Sequence, residues 1–166
     1  MLAREMVDSL SDIVWSIHPV PDGLDSLVNR MRGFALDLLA GQGIAFEFRS
    51  ALAGQSGLRV SLQARRSLFL IFKECIHNIS RHSGCTAAQA ELKAADREIV
   101  LTIEDNGKGR HPKQAPAGRG GTGIPGITRR AAMLGGAVDV DCAAGRGCRV
   151  TIRIPLRRSA FARWHI

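Results

Sequence analysis

Two short stretches of this chain combine reactive residue types at spacings that bring them together. In FKECIHNISRHS, Phe72 to Ser83, a helical path would gather Glu74, Asn78, Arg81 and His82 within about 100° of one another. A carboxylate can polarise a water or hydroxyl, an amide oxygen can ligate a hard cation, and two basic groups can meet phosphate. A plain solvated helix face carries the same residue types. In IEDNGKG, Ile103 to Gly109, Asn106-Gly107 follows an alternating apolar run and is a strong hairpin signal. No return strand follows, however. The chain instead enters Lys108 to Thr122, rich in Gly, Pro, Lys and Arg. Asp105 is therefore either the corner of a turn or the acid at the floor of a site.

A third stretch, GRGGTGIPGI from Gly118 to Ile127, suits phosphate. Glycines let backbone N–H groups approach phosphate oxygens, and a helix N-terminus just beyond adds its dipole. Pro125 stands in the first helical turn, where its missing N–H costs nothing. A flexible linker would show the same glycines.

The elements that must position these residues follow from periodicity. Leu24, Leu27, Val28, Met31, Phe34, Ala35 and Leu38 repeat at helical spacing, and Gly41 closes that helix. Residues 44–49 alternate as a strand, and Ser61 caps a helix over about 61–82 that Ser83-Gly84 ends. On that helix Leu68, Phe72, Cys75, Ile76 and Ile79 form one apolar stripe. Strands are expected near 86–94, 98–104, 137–142 and 148–155, with a helix over 124–134. The order predicts an α/β fold: a two-layer sandwich with one mixed sheet of about five strands and helices on one face. Residues 2–17 carry a further helical pattern, detached by Pro19 and Pro21.

Composition sets limits. The 166 residues are 45% hydrophobic and 23% charged, enough for one domain with a real core. No apolar run approaches the roughly 20 residues of a membrane span, and the charged N-terminus is not a signal peptide. The net charge of +8 suits polyanionic partners. Its arginines are scattered, aromatics are 5% and Tyr is absent, so direct nucleic-acid binding is not expected. The four cysteines show no C-x-x-C pair and no zinc-like spacing. They are expected to be reduced cytoplasmic thiols serving as small core residues.

The ordered combination resembles the Bergerat-type ATP-binding fold of sensor histidine kinases, gyrase-like ATPases and their relatives (the GHKL group). FKECIHNISRHS is similar to the N box, EDNGKG to the first glycine box, and GTGIPGI to the second. Residues 129–156 look like the closing helix–hairpin of the histidine-kinase branch, so the resemblance covers 24–156. LSDIVWSIHPVPDG is similar to the junction between dimerisation and catalytic domains in the subfamily that serves helix-turn-helix response regulators. It implies that 1–18 is the C-terminal part of the second dimerisation helix, 24–156 the catalytic domain and 157–166 a basic tail.

The resemblance also implies roles. Asp105 would accept a hydrogen bond from the adenine amino group, and Gly107 would let the backbone pass beneath the base. Gly109 would release the chain into the ATP lid. Asn78 would ligate Mg²⁺, Arg81 and His82 would face phosphates, and Gly121, Thr122 and Gly123 would line the triphosphate. Glu74 matches the N-box acid, acting either as a base or as support for Mg²⁺-bound water. Cys148 stands where the family usually has Thr contacting adenine through water. A thiol bonds more weakly, which implies an affinity loss of about 1 kcal/mol.

Implied partners are ATP, a phosphoacceptor domain of the same kinase, a response regulator, and a second copy of a homodimeric parent. None of the five histidines fits the acceptor position, so self-phosphorylation of this chain is not expected. A cytoplasmic domain is implied, whether or not the parent carries a membrane anchor. The alternatives are a stand-alone GHKL ATPase or anti-sigma serine kinase, and a basic nucleic-acid-binding module.

Overall fold

The computed structural model describes residues 24–52, 60–95, 97–109 and 123–156. The helix expected within 1–18, the tail 157–166, Gly121 and Thr122 lie outside the described residues. The element order is α1 (Leu24–Ala40), β1 (Ala45–Ala51), α2 (Leu62–Asn78) running into a π-helical turn (Ile79–Ser83), and β2 (Ala87–Ala95). Then come β3 (Glu98–Asp105), α3 (Gly123–Met133), β4 (Ala137–Cys142) and β5 (Cys148–Pro155).

The five strands form one mixed sheet in the order β1-β2-β3-β5-β4. β1 and β2 are parallel, as a strand–helix–strand crossover through α2 requires, and the other pairs are antiparallel. This is the predicted two-layer α/β sandwich. Ser61 caps α2, its Oγ accepting from Ala64 N at 3.1 Å. Gly84 ends the π turn in the left-handed region at φ 61°.

One face of the sheet carries the core. Leu27, Met31 and Leu39 of α1 and Leu68, Ile71, Phe72 and Ile76 of α2 are fully buried against Leu92, Leu101, Ile103, Ile152 and Ile154. Each such side chain contributes about 1.5–3 kcal/mol. The stripe predicted on α2 is the one that is buried. The opposite face is polar, with a depression of about 310 Å³ whose lining includes Arg49, Glu91, Thr102, Glu104, Arg149 and Arg153. Its cations meet acids: Arg149 binds Glu104 at 3.0 Å, Arg153 lies 3.6 Å from Glu98, and Arg49 holds Glu47 at 2.8 Å.

The expectation of four free thiols needs correction. Cys142 and Cys148 end β4 and β5 as a register pair with Cα atoms 4.1 Å apart, and their sulfurs are bonded. Only Cys75 and Cys85 are free, both buried. Burial pushes the Cys75 thiol up to about 12, and the Glu74 charge pushes the same way.

Candidate functional site

β3 alternates strictly along its length, placing Ile99, Leu101 and Ile103 in the core. Asp105 takes the next inward position. A carboxylate therefore occupies the slot where the pattern calls for another apolar residue, and it is only 8% exposed. Burial raises its pKa; the Gly107 N–H donating to the carboxylate offsets part of that, and the neighbouring Glu104 charge adds to the rise. Such a group is costly to the fold and needs a reason outside it.

The turn after β3 is held from three sides. Asp105 Oδ1 accepts from Gly107 N at 2.8 Å. Asn106 Oδ1 accepts from Thr86 N and Ala87 N, both at 3.0 Å, and its Nδ2 donates to Thr86 Oγ1 at 3.0 Å. Lys108 N donates to Ser83 O at 2.9 Å, and Gly145 N to Lys108 O at 2.8 Å. The glycine box is thus clamped between the end of α2 and the β4–β5 hairpin loop. A Cβ on Gly107 would lie 2.3 Å from Ser83 O and 2.8 Å from Asp105 Oδ1. Gly109 has a local reason beyond the predicted exit into a lid: at φ +64° its Cβ would meet Ala143 O at 1.9 Å.

Ser83 itself is buried, donating to Ile79 O at 2.7 Å and accepting from Cys85 N at 3.1 Å. It is the joint between the α2 residues and Asp105. Glu74 and Asn78 are half-buried on α2, whereas Arg81 and His82 are exposed on the π turn. The predicted arc assumed α-helical rotation throughout. The π turn rotates less per residue than an α-helix, which shifts Arg81 and His82 round the axis relative to Glu74 and Asn78 without scattering the four. Such turns are frequent at functional sites.

Cys148 stands opposite Asp105 in the β3–β5 register, and Ala88 opposite Asp105 on β2. Asp105, Cys148, Gly107 and Gly109 are therefore brought together. Gly123 opens α3, which packs on α2. Sequence reading missed the Asn106 side chain, Ser83 and Cys142. The Cys142 signal was present: one strand expected to end at 142 and the next to begin at 148 put these cysteines face to face.

Removing the Asn106 side chain should loosen this turn. Asn106→Ala is expected to cost about 1–2 kcal/mol, and Asn106→Asp less because it keeps the acceptor for Thr86 and Ala87. Denaturant unfolding of both variants checks the order. Equal losses would show that the acceptor is not what holds the turn.

The residues fit a nucleotide and its cation. Glycine at 107 lets the backbone lie against Ser83 O and the Asp105 carboxylate, Asp105 keeps one carboxylate oxygen beyond its Gly107 bond, and Asn78 offers an amide oxygen. A hard cation such as Mg²⁺ takes one or two protein oxygens and completes its shell with phosphates and water.

Residues 63–158 match the family model of the histidine kinase-, DNA gyrase B- and HSP90-like ATPases. The chain is 31% identical over 98 residues to the signal transduction histidine-protein kinase/phosphatase UhpB of Salmonella typhimurium, covering 59% of this chain and 19% of that protein. It is 27% identical over 158 residues to the sensor histidine kinase YhcY of Bacillus subtilis, covering 94% of this chain and 38% of that one. The fold superposes on the histidine kinase domain of the Erythrobacter litoralis EL346 blue-light activated histidine kinase with a TM-score of 0.62 at 18% identity. That superposition covers 78% of this chain and 61% of the other. The chain thus spans well under half the length of the two curated relatives.

Proposed function

This chain belongs to the histidine kinase-, DNA gyrase B- and HSP90-like ATPase family, and we propose that it is the ATP-binding catalytic domain of a two-component sensor histidine kinase. It would bind Mg-ATP and pass the γ-phosphoryl group to a histidine of a dimerisation domain outside residues 24–156, for relay to a response-regulator aspartate. The observation that carries this reading is Asp105. It is a nearly buried carboxylate with one oxygen held by a backbone N–H, at the end of a central strand and beside a glycine-only passage.

Each residue has a stated task. The free oxygen of Asp105 accepts from the adenine amino group, and Gly107 lets the backbone pass close beneath the base. Asn78 would hold Mg²⁺, which supplies charge neutralisation to the phosphates when bound. Glu74, four residues earlier and one turn away on α2, orients or deprotonates water or the acceptor on the same side. Arg81 and His82, exposed on the π turn after α2, are free to reach phosphate, and the glycines of the second glycine box, Gly121 and Gly123, would serve the triphosphate.

The paired arginines on the open sheet face argue against the nucleic-acid alternative, since a phosphate-binding stripe needs cations without carboxylate partners.

The test supplies γ-labelled ATP, Mg²⁺ and a separately purified dimerisation domain bearing the phosphoacceptor histidine. Acid-labile label is expected on that domain and not on this chain. Label on the chain itself, or salt-sensitive DNA binding without ATP affinity, would overturn the reading.

A further inference from the structure

The cysteines divide into two kinds. Cys75 and Cys85 are buried and inert, whereas Cys142 and Cys148 are half-buried and open to solvent-borne thiols. The second pair closes the β4–β5 hairpin. Ala143 N donates to Gly147 O at 3.3 Å just beyond it, which leaves Cys142 and Cys148 as the close, non-hydrogen-bonded pair with Cα atoms 4.1 Å apart.

Their place in the sheet matters more than their proximity. Register runs Ala88, Asp105, Cys148, Cys142 across β2, β3, β5 and β4. The alternation of β5 puts Cys148 on the core face with Val150, Ile152 and Ile154, the face that also carries Asp105. Cys148 thus stands between the acid and its cysteine partner. The hairpin loop is also tied to the glycine box, through Gly145 N donating to Lys108 O at 2.8 Å and through Gly147 lying against Asp105 O.

We propose that Cys142 and Cys148 form a reversible dithiol–disulfide switch whose state sets the affinity of the adjacent nucleotide pocket. This rests on the reading of Asp105 as the adenine acceptor. Oxidation joins the two Sγ atoms and releases two protons and two electrons. Peroxide takes them up to give two waters, or an external disulfide takes them up to give two thiols. A dithiol reverses the step by exchange: its first thiolate attacks one sulfur to give a mixed disulfide, and its second thiolate closes on the first as the remaining cysteine leaves as a thiol.

In the reduced state Cys148 carries an S–H able to donate toward the pocket. In the oxidised state that proton is gone and the sulfur is committed to the β4 side of the row. One lost hydrogen bond corresponds to about fivefold in affinity.

The experiment needs only the full chain. After peroxide or dithiothreitol and blocking of free thiols, trypsin cuts at Arg130, Arg146 and Arg149. Residues 131–146 and 147–149 then stay linked only where the bond exists. Titration with a fluorescent ATP analogue accompanies each state, for wild type, Cys142→Ser and Asp105→Asn. Linked peptides in the oxidised sample, a fall of about fivefold in affinity restored by dithiothreitol, and a redox-insensitive Cys142→Ser are expected. Absence of linked peptides would overturn the switch, and linked peptides with equal affinities would overturn its coupling to the pocket. Wild type binding ATP in neither state would instead remove the nucleotide reading and the coupling with it, while the linked peptides would still decide whether the pair forms.

Discussion

Asp105→Asn is expected to weaken ATP binding at least about 100-fold and to leave the fold intact. An asparagine can keep its Oδ1 where Asp105 Oδ1 accepts from Gly107 N, so the turn survives. The other oxygen becomes an NH₂ group, and a donor then faces the adenine amino donor in a nearly closed site. The loss combines a hydrogen bond to a charged acceptor, about 1.5–3 kcal/mol, with the cost of an unpaired buried donor, about 1–3 kcal/mol. Guanine presents an acceptor, O6, where adenine presents its amine. The variant should therefore lose ATP far more than GTP, and calorimetric titration with both nucleotides checks this. A variant that kept ATP affinity within threefold of wild type would remove Asp105 from the base-recognition role.

The same substitution has a pH signature. Burial raises the Asp105 pKa, so the folded chain holds a proton that the unfolded chain has already released. Between those two values stability falls as pH rises, because ionising the carboxylate is penalised only in the fold. Asparagine has no such penalty. The free variant should match wild type in acid and equal or exceed it at neutral pH, by thermal unfolding. A site that costs the fold stability and serves a ligand shows this sign.

Gly147→Ala is the second large effect, and it acts on the fold first. At φ +75° its Cβ would lie 1.8 Å from Asp105 O and 3.1 Å from Asn106 Cα. Neither atom can give way cheaply: Asp105 lies at the end of a central strand and Asn106 is tied to β2. A cost of about 3 kcal/mol or more is expected, a fall of roughly 6–12 °C in melting temperature for a chain of this size. Gly145→Ala is the control. Gly145 also has positive φ, +74°, but nothing within 4 Å of a new Cβ, so it should lose only about 1 kcal/mol of backbone strain. Equal losses in the two variants would show that conformation alone, and not contact with the Asp105 backbone, makes glycine necessary at Gly147.

Much of this was legible along the chain because it is local. Helical spacing, the Ser61 cap, the Gly84 stop and the β3 alternation each depend on residues within a turn or two of one another. They gave the element order and boundaries to within a residue or two. The candidate site was legible where its residues sit in contiguous motifs, as Asp105, Gly107 and Gly109 do.

What escaped depends on residues far apart in sequence. The π turn, Ile79–Ser83, continues α2 where the sequence pattern reads as one unbroken α-helix, and its last residue Ser83 bonds back to Ile79 O and on to Cys85 N. The clamp on Gly109 comes from Ala143, and the need for glycine at Gly147 comes from Asp105. Cysteine spacing and local surroundings say nothing of pairing, whereas strand register sets Cys148 opposite Asp105 and Cys142 opposite Cys148. Local preference chose which segments are helix or strand. Only the sheet order β2-β3-β5-β4 could line up Ala88, Asp105, Cys148 and Cys142, because a row across strands is fixed by hydrogen-bond register between segments and not by spacing within one.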